Sequence, residues 1–137
     1  MAVKFSETVR NARVDIIEAT IGASAVLKIR SGAPPANISD ADSGAVLAVL
    51  NLPADWMNTG SSGQVSLLGT WQDTDADSTG TQDAGHFRLY ANDGTTQHMQ
   101  GTVTATGGGG DLTLDNISIA PGQTVTVTTF NITDGNA

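Results

Sequence analysis

From residue 25 onward, short apolar stretches alternate with polar clusters rich in turn-forming residues. The stretches AVLKIR (25–30) and GHFRLYA (85–91) carry an apolar side chain at every second position, as a strand with one buried face does. The segment 31–44 contains two adjacent prolines, which cannot donate to a β-ladder, so it predicts a loop. About seven or eight short strands with turn signals between them predict a mainly β fold, an antiparallel β-sandwich or jelly roll.

The first part of the chain differs from the rest. Residues 6–21, SETVRNARVDIIEATI, contain neither Gly nor Pro, begin with the good N-cap residue Ser6 and are followed by Gly22. This pattern predicts one N-terminal α-helix. We therefore expect an N-terminal arm and helix over 1–24 and a β-sandwich over 25–137, which together form one compact domain.

The predicted helix carries two apolar stripes, one with Val9 and Ile16 and the other with Val14, Ile17 and Ile21. A single stripe would suffice to pack the helix on a small sandwich, so the second favours a contact outside the domain; the alternative is a helix that lies deep in its own fold. The stretch 45–52, apolar on both faces, predicts a central strand or one that meets a neighbour. The predicted interface residues are Val9, Arg10, Arg13, Val14, Ile17, Ile21, Val49 and Trp56.

Two local details concern the later strands. NDGT after 85–91 predicts a hairpin into TQHMQGTVTAT, with Phe87 and Leu89 on one face of the first strand and His86, Arg88 and Tyr90 on the other. In the last stretch, TVTVTTFNI, the apolar positions change phase near residues 128–129, which predicts a β-bulge.

Charge and composition exclude several classes of function. Residues 1–30 contain five basic and three acidic side chains, whereas residues 31–137 contain one basic and eleven acidic ones. A net charge of −8 disfavours a nucleic-acid-binding role, since phosphate backbones are bound by clustered Lys and Arg. The chain has no Cys, no long apolar run and no signal-peptide pattern, so we expect a soluble, unexported protein that does not bind membranes.

Candidate chemistry is sparse. Asp73, Asp75 and Asp77 are spaced like the first ligands of a calcium loop, but Ser78 and Ala84 stand where Gly and a bidentate Glu would be needed. These aspartates are therefore weak metal candidates, and a solvated polar loop is the main prediction. His86 and His98 lie on the two strands of the predicted hairpin, which would allow them to face each other, but they have no third ligand nearby and form an even weaker metal candidate. We predict no cofactor and no catalytic activity.

Several segments resemble a known group of proteins. They include MAVKFSETVRNARVDIIEATIG, KIRSGAPPAN, LPADWM, GTWQD, GHFRLY, GTVTATGGGGDLTLDN and ITDGNA. The chain is similar, nearly end to end, to small structural proteins of tailed bacteriophages and prophages.

This resemblance implies a capsid cement or decoration protein on the virion surface, assembled in the host cytoplasm. Its expected partners are the major capsid protein, other virion proteins and sister copies in a dimer or trimer. The alternative is a tail, neck or fibre module that binds a receptor or glycan through Trp56, Tyr90 or loop 73–83.

Overall fold

The computed structural model describes residues 3–136, so the outer limits of the two predicted segments, residues 1 and 137, lie outside the described residues. Helix α1 (Glu7–Ile21) forms where the sequence predicts it. The Ser6 hydroxyl accepts a hydrogen bond from the Val9 N–H at 3.3 Å, and the Gly22 N–H donates to the Glu18 carbonyl at 2.8 Å. Gly22 ends the helix with φ of 96°, a conformation that favours glycine.

The rest of the described chain is mainly β, as predicted. Ten short strands follow the helix: β1 (Val26–Ser31), β2 (Val46–Asn51), β3 (Gln64–Ser66), β4 (Trp71–Asp73), β5 (Gln82–Tyr90), β6 (Gln97–Ala105), β7 (Leu112–Leu114), β8 (Ser118–Ile119), β9 (Val125–Val127) and β10 (Asn131–Thr133).

The largest sheet is centred on β5. Its strands lie in the order β2-β1-β5-β6-β7, with β8 paired to the beginning of β5. All of these pairs are antiparallel except β6 with β7, which is parallel. Two further antiparallel pairs, β10 with β3 and β4 with β9, complete the β structure of the described residues.

Helix and strands share one hydrophobic core. Val14 and Ile21 of α1 belong to the same buried cluster as the side chains of the strands. Inside it, the rings of Trp56 and Trp71 lie 6.0 Å apart, and Phe130 packs against Trp71 at 5.5 Å and Phe87 at 5.8 Å. Tilted aromatic pairs of this kind contribute about 0.5–1.5 kcal/mol each beyond the area they bury.

Strand β2 lies at the edge of its sheet, so the interpretation of 45–52 as a central strand is wrong. Among the described residues β2 pairs with β1 only. Its other edge is covered by residues 73–83, here named the acidic loop, which begin at the last residue of β4. There the Val49 N–H donates to Asp73 Oδ2 at 2.8 Å, and the Asp77 N–H donates to the Leu47 carbonyl at 3.0 Å. The loop thus satisfies main-chain groups that an open edge would expose.

The predicted bulge near residues 128–129 is wrong. The chain leaves β9, which pairs with β4, and then enters β10, which pairs with β3. The apolar positions change phase because the chain passes from one strand pair to another.

The predicted hairpin is confirmed, because β5 and β6 pair antiparallel on either side of the NDGT turn. Its first strand, however, is buried on both faces. His86, Arg88 and Tyr90 are all fully buried, although the alternation in 85–91 assigned them to the face opposite the apolar residues. Their burial shows that a further segment covers this face of the sheet.

Candidate functional site

The segment that covers this face is the connection between β1 and β2, residues 32–44, here named the cover loop. Arg88 holds it through three hydrogen bonds, to the carbonyls of Asp40 (2.8 Å) and Asn37 (3.1 Å) and to Asp42 Oδ1 (3.0 Å). Its Nε donates to Gln100 Oε1 at 3.0 Å, and Gln100 in turn donates to the Pro35 carbonyl. A fully buried guanidinium is tolerated because each of its three nitrogens donates at least one hydrogen bond.

Asp42 also bonds two further side chains beneath the cover loop. Arg30, which is only 6% exposed, donates to Asp42 Oδ2 at 2.9 Å, and the Tyr90 hydroxyl donates to Asp42 Oδ1 at 2.7 Å. Together with Arg88 these residues form the polar cluster, defined as Arg30, Asp42, Arg88 and Tyr90.

The polar cluster shifts the acidity of its members. Burial opposes ionisation of Asp42, but the hydrogen bonds from Tyr90 and Arg88 and the charges of both arginines outweigh it, so the Asp42 pKa lies below 3.8. Burial and the hydrogen bond to Asp42 raise the pKa of Tyr90 above 10.0. The cluster is therefore arranged to keep the aspartate charged and the phenol neutral.

His86 lies beside the polar cluster. Burial and the charges of Arg30 and Arg88 lower its pKa below 6.5, although a 2.8 Å hydrogen bond between Nδ1 and the Gly32 carbonyl opposes this shift. Its Nε2 is buried and has no hydrogen-bond partner among the described residues. His86 lies opposite Thr102 in the hairpin, while His98 is exposed farther along β6, so the hairpin does not bring the two histidines face to face.

The acidic loop also has a structural role, because its first residue, Asp73, binds main-chain N–H groups. Besides the bond from Val49, Asp73 accepts one through Oδ1 from the Asp75 N–H at 2.9 Å, so both oxygens of this weak metal candidate have partners within the chain. Asp75 and Asp77 are exposed. Within residues 3–136, no three His, Cys, Asp or Glu side chains are grouped closely enough to hold a metal ion.

Three of the predicted interface residues, Val14, Ile21 and Trp56, lie in the core. Trp56 is fully buried, and its indole N–H donates to the Gly22 carbonyl at 3.0 Å, so it ties the strands to the end of α1. Tyr90, the other aromatic residue considered for glycan binding, is equally buried.

The other five predicted interface residues lie nearer the surface. Val9 is 42% exposed, whereas Ile17 and Val49 are half-buried. Arg10 donates to the Ser62 carbonyl at 3.3 Å, and Arg13 forms an ion pair with Asp134 at 3.2 Å.

A groove of about 640 Å³ lies between α1 and strands β6 and β10. Its walls are Ile16 and Ile17 of α1 on one side and residues of β6 and β10 on the others, with the rings of Phe87 and Phe130 also in the lining. Ile16 stands at the rim and is 59% exposed. The sequence indicated the stripe that contains Ile16 but did not show that this stripe borders a groove.

The described helix is too short and too polar to cross a membrane. Comparisons with protein families, with curated proteins and with solved structures gave no match to this chain. Arguments about function therefore depend on the groove, on the charge distribution and on the resemblance described above.

Proposed function

We propose that this chain is a non-enzymatic structural protein of a tailed-bacteriophage particle. In this proposal it is a capsid cement or decoration protein that contacts the major capsid protein and sister copies at the particle surface. The fold would be a β-sandwich of the jelly-roll type, with the six-stranded sheet on one side and the two-stranded pairs opposite.

The observation that carries the proposal is the apolar surface along α1. Val9 and Ile16 are exposed on one stripe of the helix, and the groove opens beside Ile16. Exposed apolar residues that adjoin an apolar groove are typical of surfaces that bind another protein. Cement proteins need such surfaces because each copy contacts several neighbours.

Two further features support an assembly role. The polar cluster, in which Arg30 and Arg88 are buried and paired with Asp42, uses its donors and acceptors to hold the cover loop. The chain also separates charge, with a net +2 over residues 1–30 and −10 over residues 31–137. Within the folded chain Arg13 and Arg30 are paired with Asp134 and Asp42. Exposed basic residues such as Lys4 are therefore the ones available to acidic surfaces of neighbouring copies.

Copy number on purified particles tests the location. We expect hundreds of copies per particle, as roughly required of a protein that follows the symmetry of a capsid. A few copies, or a few dozen, would contradict the capsid assignment and favour the tail, neck or fibre alternative.

A matched pair of variants tests the surface. Ile16→Asp should release the protein from particles at lower denaturant or salt than the wild type, because it places a charge on the apolar stripe. Ile38→Asp changes another exposed isoleucine, which lies on the cover loop, and should leave retention unchanged. Equal retention of both variants would contradict the role given to α1.

A further inference from the structure

Strand β6 has an open edge at the groove. The Thr102 N–H donates to Asp111 Oδ2 at 2.9 Å, so it points away from β5. Because main-chain groups alternate in direction along a strand, those of Gln100 also point away from β5. Among the described residues, β7 pairs with β6 only from Val103 onward, so the edge at Gln100 is not covered by a strand.

Strand β10 presents a second open edge. The Phe130 carbonyl accepts from the Leu67 N–H at 2.9 Å, and the Asp134 N–H donates to the Gly63 carbonyl at 2.8 Å, so these residues face β3. By the same alternation, the main-chain groups of Asn131 and Thr133 face away from it. Within residues 3–136, β10 pairs with β3 alone.

Both edges line the groove, since Gln100, Asn131 and Thr133 are among its residues together with Phe87 and Phe130. Open main-chain edges beside apolar side chains fit an extended peptide, which pairs through its backbone and places alternate side chains on the apolar surface. A helix would leave the edges unpaired.

We infer that the groove binds the extended segment Val3–Phe5 of a second copy of this chain, which adds as a short strand. Val3 is 70% exposed and Phe5 is 37% exposed, and in a strand both would point to the same face. Lys4 between them would point to the opposite face. Three residues are enough to form a strand, since five of the described strands are three residues long.

Charge is compatible with this occupant. Lys4, the one charged residue of the segment, would lie on the outer face of the added strand, and the groove lining contains Asp111 and neither Lys nor Arg, so it would not repel the lysine. In its own chain the segment is attached at Phe5, whose N–H donates to the Asn136 carbonyl at 2.9 Å and whose ring lies 4.8 Å from the Arg13 guanidinium. Binding to a second copy would exchange these contacts for those of the groove.

The position of the segment in its own chain leaves the groove free for a second copy. The Phe5 N–H is bonded to the Asn136 carbonyl, beyond the end of β10, and none of residues 3–5 belongs to the groove lining. Among the described residues, the groove of each chain is therefore not occupied by its own N-terminal segment.

This inference deepens the self-association within the proposed function by naming the segment and its binding site. The test is sedimentation velocity of the full chain as wild type and as Val3→Asp, with Ile38→Asp as the control at another exposed apolar position. The wild type and Ile38→Asp should associate equally, and Val3→Asp should weaken association about tenfold or more, because a charge replaces a buried apolar side chain.

A second pair tests the backbone pairing. Thr133→Pro removes an N–H that faces the groove and should weaken association, whereas Thr133→Ser keeps that N–H and should associate like the wild type. Far-ultraviolet circular dichroism checks that each variant is folded.

Two outcomes would overturn the inference. One is a wild type that stays monomeric up to about 1 mM, which would leave a role on the capsid intact but exclude binding between copies. The other is association that Val3→Asp and Thr133→Pro leave unchanged, which would leave self-association intact but exclude this segment.

Discussion

The two faces of the β5–β6 hairpin differ in how they are covered. On one face the cover loop lies over His86, Arg88 and Tyr90, and the charges beneath it are paired within the chain. On the other face Phe87 and Leu89 are buried in the core, and beside them lies a groove whose strand edges have no neighbouring strand among the described residues. The chain itself covers the first face, here named the closed face, whereas the groove leaves part of the second, here named the open face, accessible to a second chain.

The comparison separates residues that hold the fold from residues free to bind. The closed face uses charges, which are costly to bury and must be paired, so changes there should reduce stability. The open face combines apolar side chains with unpaired backbone, so changes at its rim should reduce association with little effect on stability.

The largest effect is expected at Arg88. Arg88→Met leaves the carbonyls of Asn37 and Asp40 without their donor and should lower the free energy of unfolding by about 3 kcal/mol. Urea denaturation measures this loss. Lys4→Met changes an exposed cation and should stay within about 0.5 kcal/mol of the wild type. Equal stabilities of the two variants would show that the cover loop does not depend on Arg88.

Adjacent isoleucines of α1 distinguish core from rim. Ile17 packs against the core, so Ile17→Asp should cost about 2–3 kcal/mol of stability by burying an unpaired carboxylate. Ile16 is exposed, so Ile16→Asp should cost less than about 0.5 kcal/mol while it weakens association. Thermal unfolding and sedimentation of both variants check this, and a larger stability loss at Ile16 would contradict the assignment.

Substitution of one glycine on each face allows the rigidity of the two faces to be compared directly. A Cβ at Gly85 would lie 2.2 Å from the Gly32 carbonyl oxygen, and this backbone cannot move without shifting the cover loop. A Cβ at Gly101 would lie 2.7 Å from the Phe87 ring and 2.9 Å from the Asp111 side chain, and side-chain atoms can shift more easily than backbone. Gly85→Ala should cost about 2–3 kcal/mol and Gly101→Ala about 1 kcal/mol by denaturant unfolding. The reverse order would mean that the groove side is the more rigid one.

Acid should weaken the closed face in two steps. His86 has a pKa below 6.5 in the folded chain, so the unfolded chain binds its proton first and stability falls as the pH drops below that value. Asp42 has a pKa below 3.8 when folded, so its contribution is present above that pH and is lost as the pH falls further.

Replacement of the buried histidine isolates the first step. His86→Gln should flatten the decline in stability between about pH 6.5 and 5, the range in which an ordinary histidine begins to gain its proton. His98→Gln, at an exposed position, should leave the decline as it is. Unfolding curves at several pH values measure both, and an unchanged slope in His86→Gln would exclude this histidine as the cause.

Local signals predicted several elements well. Ser6 and Gly22 mark the ends of α1 because capping depends on neighbouring residues, and NDGT marks the β5–β6 hairpin for the same reason. The alternation in 85–91 also showed which residues share a face.

What covers each face was not predictable from such signals. Arg88 looked solvated because its partners Asn37 and Asp42 are far away in the sequence. The same reason explains why Trp56, an interface candidate by sequence, belongs to the core. The groove was missed because it is formed by α1, β6 and β10, which come together only in the folded chain.

Amide hydrogen exchange at different protein concentrations tests most directly whether the open face binds a second copy. The amides of Gln100, Asn131 and Thr133 should become more protected as the concentration rises from about 1 µM to about 1 mM, because an added strand would pair with them. Amides beneath the cover loop should show no such change. Exchange at the groove that is independent of concentration would contradict the account.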